Sequence, residues 1–287
     1  MSLSVLTLVR GRRAHLVNLM KSLALQSEAP DELVIAWMQE AAEPDLPDPG
    51  CPVRHVFVAG EALPLAAARN AAARAARGGT LVFLDVDCLA SPGLVARYRA
   101  AADEHDGLFL GEVLYLPGGA VGAALDFERL DALGLVHPAK PAVPELGLRR
   151  EPDCGELWGL SFALRARTYA ALGGMDESFV GYGAEETDFA HRLGAAGVLL
   201  YWTAGARAYH QHHAVHVPPL HHFDAILANA ARFRAKHGRW CMEYWLGQMT
   251  RSGHIEWDEA AEAIALRRRP SEAEIAAARQ PDAVRFS

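Results

Sequence analysis

Apolar and polar positions along the chain fall into two rhythms, short continuous apolar runs and longer stretches at helical spacing. Runs at 4–9, 32–37, 53–58 and 81–87 predict strands. Between them Leu16, Leu19, Met20, Leu23 and Leu25 recur at helical spacing, and an Ala-rich helix is predicted over 65–77. Residues 10–13 and the Pro- and Asp-rich 44–52 read as loops. This order predicts an α/β fold, a doubly wound and mostly parallel central sheet. Residues 81–84 are four consecutive large apolar side chains, as in a strand buried on both faces. Beyond 87 the pattern is less regular. It predicts a helix over 94–102, a strand over 107–115, a Pro-rich loop over 138–152, a strand over 157–164 and a helix over 166–172 stopped by Gly173-Gly174. Another helix begins in the acidic block at 185, and 198–202 reads as strand. An amphipathic helix over 223–237, an aromatic patch (Trp240, Tyr244, Trp245) and a charged helical tail over 256–279 complete the reading.

Composition narrows the class. With 287 residues, 51% hydrophobic and 22% charged, the chain can bury a sizeable core. Its net charge of -7 argues against non-specific nucleic-acid binding, which wants a basic face. No apolar run approaches the roughly 20 residues of a membrane span. The N-terminus lacks the charged start and apolar core of a signal peptide, so a cytoplasmic protein is expected. Cys51, Cys88, Cys154 and Cys241 show no C-x-x-C spacing, which fits reduced thiols.

Three constellations carry chemistry. Asp85 and Asp87 end the buried run, at the carboxyl end of a strand where α/β sheets open their binding crevice. Extended-chain alternation would point both carboxylates to one side, and two acids so placed repel unless a cation joins them. The simpler alternative is a strand end entering a turn. Next, Glu185, Glu186 and Asp188 follow a glycine-flanked Tyr182; each acid alone could merely answer the helix dipole. Finally, six of the 13 histidines lie at 210, 212, 213, 216, 221 and 222. Imidazole beside carboxylate suits a transition metal such as manganese. His210 and His212 share a face if the strand continues, giving the order of preference His210, His212, His213.

Taken in order, these motifs resemble a family. Ala68-Arg69-Asn70, Phe83-Leu84-Asp85-Val86-Asp87, Leu172-Gly173-Gly174-Met175-Asp176-Glu177, Gly181-Tyr182-Gly183-Ala184-Glu185-Glu186-Thr187-Asp188 and the late histidine look like a GT-A fold glycosyltransferase. The first part is similar to family 2 and the second to the β-1,4-galactosyltransferase type, over about residues 3 to 215. The resemblance implies a nucleotide-sugar-binding half (1–110), an acceptor and catalytic half (111–222) and a helical C-terminal extension (223–287). It implies a metal-dependent, inverting transfer from a nucleotide-sugar, expected to be a UDP-sugar, to a hydroxyl of a glycan or small-molecule acceptor. Glu186 would be the general base. Thr7, Arg10, Arg69, Asp85 and Asp87 would contact the donor. Asp87 with His210 or His212 would hold Mn²⁺ or Mg²⁺. Trp158, Tyr182, Glu185 and Asp188 would meet the acceptor, Tyr182 from a loop that closes.

Two departures stand out. Family 2 members usually read uracil with an aspartate after the second strand, whereas this chain has Ala36-Trp37-Met38-Gln39, leaving Trp37 or Gln39 as the candidate contact. The base is glutamate where aspartate is commoner, which adds a methylene of reach. Two other functions fit the same residues: a retaining transferase, since fold does not set stereochemistry, and a non-catalytic His-rich metal-binding protein. A nucleotidyltransferase fits less well, because the first strand carries no Gly-rich phosphate loop.

Overall fold

The computed structural model describes residues 1–60 and 62–286. The chain begins β1 (Leu3–Val9), α1 (Arg13–Leu23), β2 (Glu32–Trp37), β3 (Val53–Phe57), α2 (Leu65–Ala75), β4 (Thr80–Leu84), β5 (Cys88–Ala90) and α3 (Leu94–Glu104). It continues β6 (Leu108–Leu110), β7 (Val113–Tyr115), α4 (Phe127–Leu133), β8 (Leu135–Val136), β9 (Leu148–Glu151), β10 (Ser161–Arg165), α5 (Ala166–Ala171), α6 (Glu185–Ala195), β11 (Leu200–Thr203) and β12 (Ala208–His210). The C-terminal part adds α7 (Phe223–His237), α8 (Glu243–Arg251), β13 (Ile255–Glu256), β14 (Ala265–Leu266) and α9 (Glu272–Ala277).

Eight strands form the central sheet in the order β3-β2-β1-β4-β10-β6-β11-β9. Strands β3 to β4 run parallel, and β10 enters antiparallel to both β4 and β6. Both faces are covered, as the unbroken apolar runs require. Alternate residues of the strands (Val5, Leu33, Val82) pack on Leu16, Leu19 and Leu23 of α1 and Leu94, Val95 and Tyr98 of α3. The opposite residues (Leu6, Val34, Phe83) pack on Ala66, Ala68 and Ala72 of α2, Tyr169 of α5 and Phe189 and Leu193 of α6. A second sheet, β5-β12-β7-β8, stands beside the first. Beneath the C-terminal helices lies a separate core with Leu220, Phe223, Ile226, Trp240, Leu246 and Met249.

The doubly wound α/β architecture, with its mostly parallel first half, matches the expectation. Several elements do not. The expected strand over 81–87 stops at Leu84, where a turn closed by Cys88 N–H donating to the Asp85 carbonyl (2.8 Å) carries both aspartates. The expected strand over 107–115 is two strands in different sheets, β6 and β7. That over 157–164 begins only at Ser161, leaving Trp158 and Gly159 in a loop. Within the expected loop over 138–152, β9 pairs with β11 at the sheet's edge. The expected helical tail over 256–279 is a two-stranded ribbon and the six-residue α9. Pro270 forbids a continuous helix there, and Ser271 with Glu274 forms a capping box that starts α9 just after it.

Candidate active site

At the carboxyl ends of β1, β2 and β4 the structure gathers charged side chains from distant parts of the chain into two adjoining groups. Arg69 is the centre of the first. It lies on α2, whose small alanines let the helix sit close on the sheet, and its side chain is only 2% exposed. One guanidinium nitrogen donates to Asp85 Oδ1 at 3.1 Å and to Glu186 Oε1 at 2.7 Å; the other donates to Glu185 Oε1 at 3.3 Å. Burial alone would lower the Arg69 pKa, but Asp85, Glu186 and Glu185 outweigh it and hold the guanidinium firmly charged. One cation cannot neutralise three acids. Burial, with further repulsion from neighbouring acids, pushes both Asp85 and Glu185 up to about 7 despite Arg69.

Glu186 is held from two sides. Its Oε2 accepts from the Gly159 N–H at 2.8 Å while Oε1 accepts from Arg69. A Cβ on Gly159 would lie 1.7 Å from Glu186 Oε1, so only glycine lets the loop before β10 approach this carboxylate. Its side chain keeps 26% exposure, whereas Glu185 is buried against Arg69. Asn70, next to Arg69, braces the Gly173-Gly174-Met175-Asp176-Glu177 segment. Its amide donates to the Met175 carbonyl and Glu177, and its oxygen accepts from Tyr169 O–H and Met175 N–H.

Asp87 centres the second group. Arg12, the residue before α1, donates to its Oδ2. His210 Nε2 lies 3.7 Å from Oδ1 and His213 Nε2 lies 3.5 Å from Oδ2. One ligand atom from each of Asp87, His210 and His213 falls within 4.8 Å of the others. Donors bound to one ion at about 2.0–2.2 Å sit roughly 3–4 Å apart, so the set fits a divalent metal. Its chemistry fits too. Burial pulls His210 down to about 4 and lowers His213, leaving both imidazoles neutral with a lone pair to offer. Burial works to raise Asp87, and the facing His210 and His213, once protonated in the acid range where a carboxylate titrates, together with Arg12 hold it below the ordinary carboxylate value. Asp87 is therefore the ionised member of the aspartate pair.

Two expectations about this group need correction. The carboxylates do not share a face of a strand; the turn sends Asp85 to Arg69 and Asp87 to the histidines. Strand alternation also ranked His212 above His213, but β12 ends at His210, and the chain then turns so that His213 reaches Asp87. The His212 ring instead lies near Gly118, while its carbonyl faces His15 Nε2 at 3.3 Å.

Other expected site residues separate into those that face the cleft and those that do not. Trp158 lines a cleft with Tyr115, Glu156 and Trp202, its ring 3.6 Å beneath the Lys140 ammonium. Lys140 is tied to the Glu156 carboxylate and carbonyl, each at 2.9 Å, and burial pulls its amine down to about 8. Thr7 is 1% exposed and sealed in β1, out of reach of a nucleotide. Arg10 binds the carbonyls of Met38 and Gly60, bracing the loops after β2 and β3. Trp37 is wholly buried, with its indole N–H donated to His55 Nδ1 at 2.9 Å, so it cannot read a base. Gln39 accepts from the Gly11 N–H at 2.9 Å. Asp188 has no exposed surface: Arg192, Lys236 and His237 surround its carboxylate at 2.7 to 2.8 Å. That arrangement makes it a tie between α6 and α7 rather than an acceptor contact. Lys140 was missed by sequence reasoning, Arg12 was read only as part of the basic loop at 10–13, and His213 was placed third among the candidate ligands.

Two family profiles match the chain: "Glycosyl transferase family 2" over residues 40–121, which contain Arg69, Asp85 and Asp87, and "N-terminal domain of galactosyltransferase" over 148–216, which contain Glu186, His210 and His213. A validoxylamine A glucosyltransferase of Streptomyces hygroscopicus subsp. limoneus is 26% identical over 271 residues, covering 82% of this chain and 56% of the relative. The chain thus spans about half the length of the curated relatives it matches. Among solved structures, GalNAc-T7 with UDP, GalNAc and Mn²⁺ superposes with a TM-score of 0.55 at 18% identity, over 74% of this chain and 43% of that one. The mannosyltransferase PcManGT of Pyrobaculum calidifontis, with GDP-Man and Mn²⁺, gives 0.53 at 15% identity, over 87% and 68%. No helix among the described residues is long and apolar enough to cross a membrane. The two profiles and the architecture together give the chain the GT-A fold and a likeness, in its ordered motifs, to family 2 glycosyltransferases.

Proposed function

We propose that the chain transfers a sugar from a nucleoside-diphosphate sugar to an acceptor hydroxyl, with inversion and with help from a divalent metal. The observation that carries this reading is the adjacency of two unlike groups in one cleft. The Asp87–His210–His213 set suits a metal, and a partly exposed carboxylate, Glu186, is fixed by Arg69 and Gly159. A buffering metal-binder needs only the first group; a transferase needs both.

In this reading Asp87, His210 and His213 would hold Mn²⁺. The ion, when bound, would supply a Lewis acid for the departing diphosphate. Arg69 and the Gly159 N–H fix both oxygens of Glu186, so the acceptor hydroxyl meets an oriented base without a reorganisation step. Glu186 takes that proton as the oxygen attacks the anomeric carbon on the face opposite the diphosphate. Arg69, shared with Asp85 and Glu185, keeps the crowded acids from repelling the base out of place. A UDP-sugar is the proposed donor. The likeness to structures holding UDP in one case and GDP-Man in another leaves the base to be set by local contacts, of which Gln39 is the candidate.

Incubation with UDP-glucose, Mn²⁺ and a panel of sugar and cyclitol acceptors, followed by NMR of the anomeric proton, tests the proposal. Transfer from the α-linked donor should yield a β-linked product. An α-linked product would refute inversion and the role given to Glu186. Metal-independent binding of UDP by calorimetry would refute the role given to Asp87, His210 and His213.

A further inference from the structure

The Gly181-Tyr182-Gly183 loop just before Glu185 and Glu186 was expected to be a moving lid. Instead it is clamped by the C-terminal helices. Asn229, 2% exposed in the middle of α7, donates through its amide to the carbonyls of Val180 at 3.1 Å and Gly183 at 2.9 Å, with Tyr182 at 3.5 Å. Nor is there slack beside the loop. A Cβ on Gly181 would meet Ala225 of α7 at 2.6 Å, and one on Gly183 would meet the Met242 sulfur at 2.5 Å.

The clamp presents Tyr182 in a particular setting. Its ring stacks on His222 with centroids 4.5 Å apart and planes 17° from parallel, and tilts against Trp245 of α8 at 5.6 Å. The three rings are partly buried, whereas Leu220, Ile226, Leu246 and Met249 of the core they rest on are fully buried. Tyr182 and Trp245 pack on that core from one side and keep the other side partly exposed. Their other neighbour is the acidic start of α6, since the loop runs through Ala184 directly into Glu185 and Glu186, and in keeping with this, burial and the charges of those acids raise the Tyr182 phenol. Aromatic faces bury apolar surface at small entropic cost and leave polar edges free, which suits the C–H face of a polyhydroxylated ring.

We propose that the C-terminal extension is a working part of the acceptor site. Asn229 is a positioning residue that fixes the loop, and Tyr182 with His222 and Trp245 forms a rigid wall that takes the flat face of a ring-shaped polyol, a sugar or cyclitol. The substrate class rests on the functional reading above; the wall itself does not. A small ring acceptor fits because the wall spans only a few rings beside one base, whereas a polypeptide acceptor would need an extended groove.

Saturation-transfer NMR on the full chain, with methyl β-D-glucopyranoside and myo-inositol as probes, tests this with and without UDP and Mn²⁺. The ring C–H protons should be saturated in the parent protein. Trp245→Ala and Asn229→Asp should each cut that signal at least threefold, Asn229→Asp because a carboxylate cannot donate to carbonyls. UDP affinity by calorimetry should stay within twofold in both variants, a selectivity that a general loss of structure would not produce. Unchanged probe saturation in both folded variants, or none in the parent, overturns the wall. Failure of the parent to bind UDP overturns the functional reading instead, and the probe signal without UDP then decides the wall alone.

Discussion

Replacing Glu186 by glutamine separates the chemistry of this carboxylate from its structural duties. The substitution keeps side-chain volume but leaves one acceptor oxygen where there were two. In the parent those oxygens accept from Arg69 at 2.7 Å and from the Gly159 N–H at 2.8 Å, so a glutamine must turn its amide nitrogen toward one of these donors. A hydrogen bond lost with its partner left unsatisfied costs about 1–3 kcal/mol. Glu186 is 26% exposed, but Arg69 is 2% exposed and Gly159 is buried, so water is kept from the abandoned donor and the expected loss of stability lies toward the upper end, about 2–3 kcal/mol. The kinetic loss should be larger. Removing a general base lowers kcat by about 10²–10⁴, roughly 3–5 kcal/mol of barrier. Because the proton moves only in the transition state, kcat and kcat/KM should fall together. Urea unfolding reads the first quantity and initial rates of nucleoside-diphosphate release with acceptor read the second. A folded Glu186→Gln protein turning over within threefold of the parent would refute the assignment, leaving Glu186 as a tie between Arg69 and the Gly159 loop.

Gly159→Ala should reduce kcat at least tenfold with its base intact, because the new methyl would displace the Glu186 carboxylate; a rate within twofold of the parent contradicts the packing argument. Asp87→Ala should abolish Mn²⁺ binding by calorimetry and Asp85→Ala weaken it less, while His213→Ala should lower the affinity and His212→Ala leave it unchanged. Equal losses in the two histidine variants would break the assignment made from geometry. Asp188→Asn should cost about 3–5 kcal/mol of stability, as expected when a buried charged network loses a partner; urea unfolding showing under 1 kcal/mol would falsify the structural role. The pH dependence has a definite sign. Although burial works to raise it, Lys236, His237 and Arg192 hold Asp188 below the ordinary carboxylate value. Its contribution is therefore full above the unfolded pKa of about 4 and lost as pH falls through the lower folded value. The Asn variant should show a flatter decline of stability below pH 4 than the parent.

How much of this was legible in the chain depends on the range of the interactions involved. The run ending in Asp85 and Asp87 could be read because four contiguous apolar residues state their own burial. Arg69 and the acidic block could be read from their order. What the carboxylates touch could not, since alternation holds only while the strand does and β4 ends at Leu84. His213 was ranked last for the same reason, because β12 ends at His210. The edge strand β9 escaped notice because Leu148-Arg149-Arg150-Glu151 is mostly polar, as an edge tolerates. The tail was read as helical from its charge and alanines, although Pro270 was visible. Asn229 acts on carbonyls 46 to 49 residues away, which no local pattern announces.

The small sheet beside the main one acts as a ruler for the metal-ligand pair. Cys88 of β5 stands opposite His210 of β12, and the Gln211 N–H donates to the Asp87 carbonyl at 2.6 Å, so Asp87 and His210 are set side by side by the pairing of two three-residue strands. A slip of one residue would move His210 by about 3.3 Å along the strand and turn its ring to the opposite face. A single-residue insertion in β5 or β12 should thus be far less tolerated than one among the exposed residues 145–147 before β9. Anyone transplanting this cleft to another scaffold must carry over the pairing of β5 with β12 together with the side chains it aligns.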